Sequence, residues 1–542
     1  MDFVLGLHSH LPYVLNHGRW PHGSDWLCEA ALDTYLPLLE ELRALEGEGV
    51  PAPVTIGFTP VLANQLASPL FRREMDAFLA QRLAACEAAP ASLAATGDQA
   101  LLPLVGFWRT RFCRLEALFR AIDGNLVTAF RELEDAGALE IIGSAATHGY
   151  LPLLARDESI RLQLDVGREE HRRLFGRDPR GCWLPECAYR PGRAGPPRRP
   201  GIETHLADAG FRYFFTDAHL AHAGAALGTY GEVPLGTERF DVERHDADTR
   251  DSEPARRSPN RAYRVTPPGA RMVATLVRDP RASMQIWSRH HGYPGDDAYL
   301  EFHKMRWPGG LKLWRVSGPN VDLGGKGPYD PTRAVHRAED HAGHFVGLLA
   351  QAGQERGVIA APFDTELFGH WWFEGVGFVG AVYRRIAKDA VLRPVSASEH
   401  LASCPPATGL RLAEGSWGAN GDHSMWMNAQ TSWTWQRLWA LEETFWRAAP
   451  RALADPAAAP VLEQAARQLL LAQASDWQFI ISTGAATDYG EQRFTRHCED
   501  AEALVRALGT HPAEGLALAA ALDERDQVFP NVLASVAAVL AR

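Results

Sequence analysis

The sequence predicts an α/β protein in which a parallel-stranded barrel is followed by an all-helical C-terminal domain. Three observations carry that prediction. Short apolar runs recur as far as Val358–Ala361 and read as buried strands. Two of these runs, remote in sequence, each deliver a carboxylate just past their ends. After about Ser403 the runs stop, and from Thr431 the chain is Ala/Leu-rich with helical apolar spacing.

The first acid lies in Gly181-Cys182-Trp183-Leu184-Pro185-Glu186-Cys187-Ala188-Tyr189. Cys182 to Leu184 reads as a strand end, and Pro185 stops it because it brings no N–H to the ladder. Glu186 follows, between Trp183 and Tyr189. Taken alone, Glu186 reads equally as a turn cap or a partner of Arg190. The second acid, Asp364, follows Val358–Ala361 and precedes His370, Trp371 and Trp372. All strands of a parallel barrel end on one face, so acids far apart in sequence can meet there. A pair of carboxylates among aromatics suits glycosidic bond cleavage.

Composition narrows the class. The chain has 542 residues, enough for a large barrel and a further domain. A net charge of -11 disfavours a nucleic-acid partner. No apolar run is long enough to cross a bilayer, so no membrane role is expected. The seven cysteines are scattered without CxxC spacing, which excludes the common zinc and redox motifs and points to the cytoplasm. The first residues lack a basic n-region and read as a strand rather than a signal peptide.

In chain order, Phe3–Leu7 is the first strand, delivering His8 and His10 at its end. Two His at i and i+2 of an extended chain point the same way and can bind a metal or sugar hydroxyls. No third ligand is near in sequence, which favours hydroxyls. Trp20 and Trp26 fall in a loop, then a helix is expected from about Leu27 to Leu45. Pro53–Phe58 is a strand, and 69–139 is helical. Leu139–Gly143 is a strand that presents His148. A helix over 161–174 leads to the Glu186 strand. After it come strands at Phe211–Phe215, Met272–Val277 and Leu313–Val316, with a helix over 332–356. The polar stretch 236–262 reads as a surface loop. Sixteen tryptophans are many for this length. Most are expected in the core, but those in Gly-rich loops suit sugar stacking.

Several separated stretches resemble motifs of glycoside hydrolase family 57, and within it the 1,4-α-glucan branching enzymes. They are His8-Ser9-His10-Leu11-Pro12, Gly143 to Leu154, Trp183 to Tyr189, Phe363 to Trp371, and Ala474-Ser475-Asp476-Trp477. The resemblance implies a distorted (β/α)7 barrel with a small inserted subdomain and a C-terminal helical domain. The expected boundaries are 1–188 and 231–402 for the barrel, 189–230 for the insertion and 403–542 for the helices. It implies a retaining mechanism with Glu186 as nucleophile, Asp364 as acid/base, and carboxyl groups roughly 5–5.5 Å apart. It also implies Glu186 ionised and Asp364 protonated at rest. His8, His10, His148 and Asp476 would hold sugar hydroxyls. Trp26, Trp287, Trp371, Trp417 and Trp426 would line the glucan groove, and Tyr230 would sit on a loop covering the site. No metal or other cofactor is expected. The substrate would be α-1,4-glucan, and the chain a monomer or weak dimer. The stretches 192–201 and 236–262 depart from the family pattern beside that loop. An α-amylase or 4-α-glucanotransferase with dominant hydrolysis is therefore the alternative. Two other readings are a glucan-binding protein without chemistry, which the two acids oppose, and a metal-dependent barrel using His8, His10 and His148.

Overall fold

Nine strands among the described residues form one sheet: β1 (Asp2–Ser9), β2 (Thr55–Phe58), β3 (Glu140–Ser144), β4 (Gly181–Trp183), β5 (Tyr213–Thr216), β6 (Ala262–Arg264), β7 (Ala274–Val277), β8 (Val358–Asp364) and β9 (Arg393–Pro394). The computed structural model describes residues 1–193, 195, 198–222, 258–266, 270–288, 292–318, 320–351, 357–388, 391–510 and 512–542. The order is β6-β7-β5-β4-β3-β2-β1-β8, with β9 on β1 and β6 antiparallel to β7. The open ends meet through one parallel bridge, Arg278 to Ala360, where the Asp279 N–H donates to the Ala360 carbonyl at 2.8 Å. Strands β1–β5, β7 and β8 thus close a distorted seven-stranded parallel barrel, as the resemblance implied.

Strand β1 is buried along its whole length, which is why it reads as a continuous apolar run. The interior is packed. Val4, Ile142, Trp183, Tyr213, Phe215, Leu276, Val358 and Ala360 form one buried cluster drawn from the strands. Gly6 admits Phe215 across the barrel: a Cβ there would lie 3.1 Å from its ring.

The expected helical stretch 69–139 is three helices, Pro69–Thr96, Leu102–Ala121 and Leu126–Asp135. Gly97, at φ 76°, ends the first, and the Asn125 side chain accepts from the Thr128 N–H to start the third. The first helix of the chain begins at Ser24, so Trp26 lies on a helix rather than in a loop. It continues through a π-helical turn, Ala31–Tyr35, into Leu36–Gly47. Two expectations are corrected. Leu313–Val316 is not a strand, because Trp314 and Arg315 make only isolated bridges to Pro328 and Leu300. The range 189–230 is not simply an insertion, because β5 within it pairs with β4 and β7 in the barrel. Strands β6 and β9 are too short to leave a sequence signal.

The C-terminal region is helical over Ser432–Leu453, Ala459–Ala472, Asp476–Thr483, Thr487–Thr510, Pro512–Arg525 and Val532–Leu540. It docks on the barrel where the Ser475 N–H donates to the His148 carbonyl at 3.1 Å, beside a Gly149–Ala474 bridge. Among the described residues, no helix is long and apolar enough to cross a membrane.

Candidate active site

The polypeptide turns sharply as it leaves β4. Glu186 and Cys187 both adopt positive φ, 59° and 46°. Such a conformation costs a non-glycine residue about 1–3 kcal/mol and persists only where its surroundings impose it. Here the Cys187 N–H donates to the Leu184 carbonyl at 2.8 Å, and the Trp417 N–H to the Glu186 carbonyl at 3.1 Å. The carboxylate is held from the far side of the fold. The Trp417 indole N–H donates to Oε2 at 2.9 Å, and the Ser475 hydroxyl to Oε1 at 3.1 Å.

Asp364 is the last residue of β8, in register with His8 of β1. Glu186 and Asp364 come into one site, close enough for the charge of Glu186 to act on the Asp364 carboxyl. Burial lifts Asp364 well above the usual carboxylate range, and the charges of Glu366 and Glu186 add to it, against Arg278. Burial also lifts Glu186, to about 7, against the Trp417 and Ser475 donors and the charge of His10. The shift at Asp364 has the direction that a proton donor requires. Glu186 is not held low, because the desolvation of its carboxylate outweighs its two donors.

Three histidines stack behind the acids. His10 and His148 have ring centroids 3.9 Å apart, and His8 packs flat on Trp183 at 4.6 Å. His8 Nε2 and His148 Nε2 share a hydrogen bond of 2.9 Å, while His148 Nδ1 meets the Ser475 hydroxyl at 2.9 Å. His148 itself stands at φ 60°, just past β3. His10 Nε2 donates to Asp476 at 2.9 Å, and its Nδ1 meets the Thr59 hydroxyl at 2.9 Å. Burial would lower His10, but Asp476, Glu186 and Glu366 raise it above its ordinary value. Burial and the charge of His10 hold His8 and His148 well below theirs. Asp476 opens the helix Asp476–Thr483, where the helix dipole favours a negative charge.

The ligand atoms of His10, His148 and Asp476 lie within 4.8 Å of one another, so this trio can surround a cation. The third group comes from the C-terminal helices, which sequence spacing around His8 and His10 did not disclose. His10 and Asp476 already satisfy each other as donor and acceptor, which suits a hydrogen-bonded sugar site.

The other expected residues divide. Trp287 ends the helix Pro280–Trp287 and meets Trp417 edge-on at 6.5 Å, beside the acids. Trp26 is half-buried against the core. Trp371 stands out on the rim at 47% exposure, with Phe302 edge-on at 5.2 Å. Two are corrected. Trp426 is 1% exposed, with Tyr150 on it at 4.6 Å, so its ring is packed floor rather than an open platform. His8 is buried one layer behind His148 and presents no open face to a sugar. Tyr230 lies outside the described residues. Sequence reading missed the Trp417 and Ser475 donors, and Glu366 with its partner Tyr35. Ser475 and Glu366 each neighbour a residue already singled out; Tyr35 carries no local signal.

Comparison with known proteins follows the same outline. Residues 4–411 match the family model of glycosyl hydrolase family 57, and residues 438–536 that of the 1,4-alpha-glucan branching enzyme C-terminal region. A 1,4-alpha-glucan branching enzyme of Thermococcus kodakarensis is 39% identical over 552 residues, spanning 98% of this chain and 78% of its own. The crystal structure of a GH57 branching enzyme from that organism, in complex with glucose and additives, is similar at TM-score 0.86 and 38% identity, covering 99% of this chain and 96% of that one. A GH57-type branching enzyme from Pyrococcus horikoshii is similar at TM-score 0.87 and 37% identity, with coverage of 99% and 96%. The alpha-amylase AmyC from Thermotoga maritima is similar at TM-score 0.81 and 27% identity, with coverage of 98% and 99%. Since the matched region runs from β1 past β9 and relatives hold such identity over nearly the whole chain, this protein belongs to glycosyl hydrolase family 57.

Proposed function

We propose that this chain is a 1,4-α-glucan branching enzyme that cleaves an α-1,4 link and moves the freed segment to a 6-hydroxyl by a retaining double displacement. The observation that carries the reading is the meeting of Glu186 and Asp364 past the ends of β4 and β8, both half-buried, with the charge of Glu186 acting on the Asp364 carboxyl. Asp364 gives its proton to the glycosidic oxygen while Glu186 attacks the anomeric carbon. The fragment on the reducing side departs, leaving a glycosyl ester on Glu186. Asp364, now a carboxylate, takes the proton of an incoming sugar hydroxyl, which displaces Glu186 with net retention.

Trp417 and Ser475 aim the nucleophile. His10, His148 and Asp476 hold hydroxyls of the sugar at the cleavage point, and Trp287, Trp417, Trp26 and Trp371 line the glucan path. Glu186, with its carboxyl near 7, makes activity fall as the pH drops through neutrality. We further assign the barrel to residues up to 402 and the helical domain to 403–542. The cytoplasm suits the seven free cysteines. Action as a monomer or weak dimer completes the proposal.

The test is incubation with amylose, followed by debranching, chain sizing and a reducing-end assay. New α-1,6 links are expected to outnumber new reducing ends. Reducing ends alone would mean an amylase, and redistributed linear chains a 4-α-glucanotransferase. Glu186→Gln is expected to abolish every product; normal turnover by that variant would remove the nucleophile assignment.

A further inference from the structure

Glu366 is a buried acid two residues past Asp364, and the reaction above gives it no part. A 3-10 turn, Thr365–Leu367, carries it from the end of β8 into the wall behind β1. Two donors converge on its Oε1: the Tyr35 hydroxyl, and the His10 backbone N–H at 3.0 Å. Burial raises the Glu366 carboxyl above its ordinary value, and these two donors, its own backbone N–H and the charge of His10 all work against that rise. Asp364 has a different setting. Among the described residues no donor reaches its carboxyl, and the groups that face it are Glu366, Glu186 and Arg278, with Tyr35 and Cys187 beside them.

Tyr35 belongs to the π-helical turn Ala31–Tyr35, and three consecutive residues of that turn hold the segment following Asp364. Tyr35 reaches Glu366, the Thr34 hydroxyl accepts from the His370 N–H at 3.1 Å, and Asp33, ion-paired with Lys312 at 2.9 Å, packs against Gly369. A Cβ on Gly369, at φ 118°, would fall 2.1 Å from the Asp33 carbonyl oxygen. Single π turns inside α-helices often mark functional positions.

We propose that Glu366 is a positioning residue for Asp364: clamped in its charged form by Tyr35 and the His10 N–H, it keeps the proton the two acids share on Asp364 until the leaving oxygen takes it. Neighbouring buried carboxyls do not both ionise, and the one with more donors keeps the charge. The inference rests on Asp364 being the acid of the proposed reaction.

The test uses two donors, amylose and a malto-oligosyl fluoride, whose leaving group needs no protonation. Glu366→Gln keeps the shape and the acceptor but removes the charge. On amylose, the alkaline limb of kcat/KM is expected to move to lower pH by about one unit or more. Tyr35→Phe instead lets the proton rest on Glu366, so the rate on amylose is expected to fall about ten-fold with no downward movement of that limb. The fluoride burst stays at the wild-type rate in both variants. An unmoved limb in Glu366→Gln, or equal losses on both donors, overturns the proposal. Should Glu366→Gln not fold, the two rates of Tyr35→Phe decide alone. Failure of the underlying reading looks different: Asp364→Asn would then be as slow on the fluoride as on amylose, or as fast on both as the wild type.

Discussion

Replacing Trp417 by Phe removes one hydrogen bond from Glu186, the proposed nucleophile, and little else. The ring that remains still meets Trp183, edge-on at 5.5 Å, and lies under the Arg278 guanidinium at 5.4 Å. What disappears is the indole N–H, which donates to Glu186 Oε2 at 2.9 Å. A hydrogen bond to a charged group is worth about 1.5–3 kcal/mol, and 1.36 kcal/mol is one pKa unit, so the carboxyl should rise by about 1–2 units. Its starting point is about 7. At pH 6 roughly a tenth of the wild-type nucleophile is ionised, against about one hundredth to one thousandth in the variant, a further loss of ~10–100-fold in kcat/KM. At pH 9 the loss should shrink to about two-fold or less. The assay is the initial burst of fluoride from a malto-oligosyl fluoride between pH 5 and 9, which isolates attack by Glu186. An acidic limb that stays in place while the rate drops equally at every pH would refute the reasoning.

Asp476→Asn keeps the shape of its contact with His10 but discards the charge. With a charged hydrogen bond worth about 1.5–3 kcal/mol, kcat/KM on amylose should fall by ~10–100-fold, read from initial rates. Lys312→Met leaves Asp33 buried without its ion-pair partner and should cost about 3–5 kcal/mol in denaturant unfolding. The double variant Asp33→Asn, Lys312→Met should recover most of that; no recovery would mean the loss is one of packing. Burial lowers His171 to about 3, so the unfolded chain binds the proton first as the pH falls below about 6.5, and this His destabilises the fold progressively towards pH 3. His171→Phe should therefore gain stability relative to the wild type between pH 7 and pH 4.5, and a constant difference in urea midpoints across that range would contradict the burial argument.

The barrel was legible because its strands are buried on both faces, and such strands read as continuous apolar runs. β1, β3, β4, β5, β7 and β8 each stand within a few residues of where the pattern put them. The acids were legible for the same reason, each being the first carboxylate past such a run. Depth within the site was not. His8 and His10 do face one way, as their spacing requires, but one lies a layer below the other, under Trp183. Trp426 sits in the kind of Gly-rich loop that suggested a platform, and only the tertiary contact with Tyr150 shows its ring to be covered. The contact of His10 with Asp476 spans 466 residues and follows no local period.

These long-range contacts also give the helical domain a place in the chemistry. The barrel alone supplies Glu186 and the strained turn that presents it. Among the described residues, both side-chain donors to that carboxylate, Trp417 and Ser475, come from beyond residue 402, as does the Asp476 that raises His10 above its ordinary value. The carboxylate lifted by burial in the barrel is thus pulled back towards its ionised form by groups that arrive only when the helices dock at Gly149–Ala474. Docking and the setting of the Glu186 carboxylate are coupled in this fold, because the hydrogen bonds that fix the helices against His148 run through the same serine that touches Glu186.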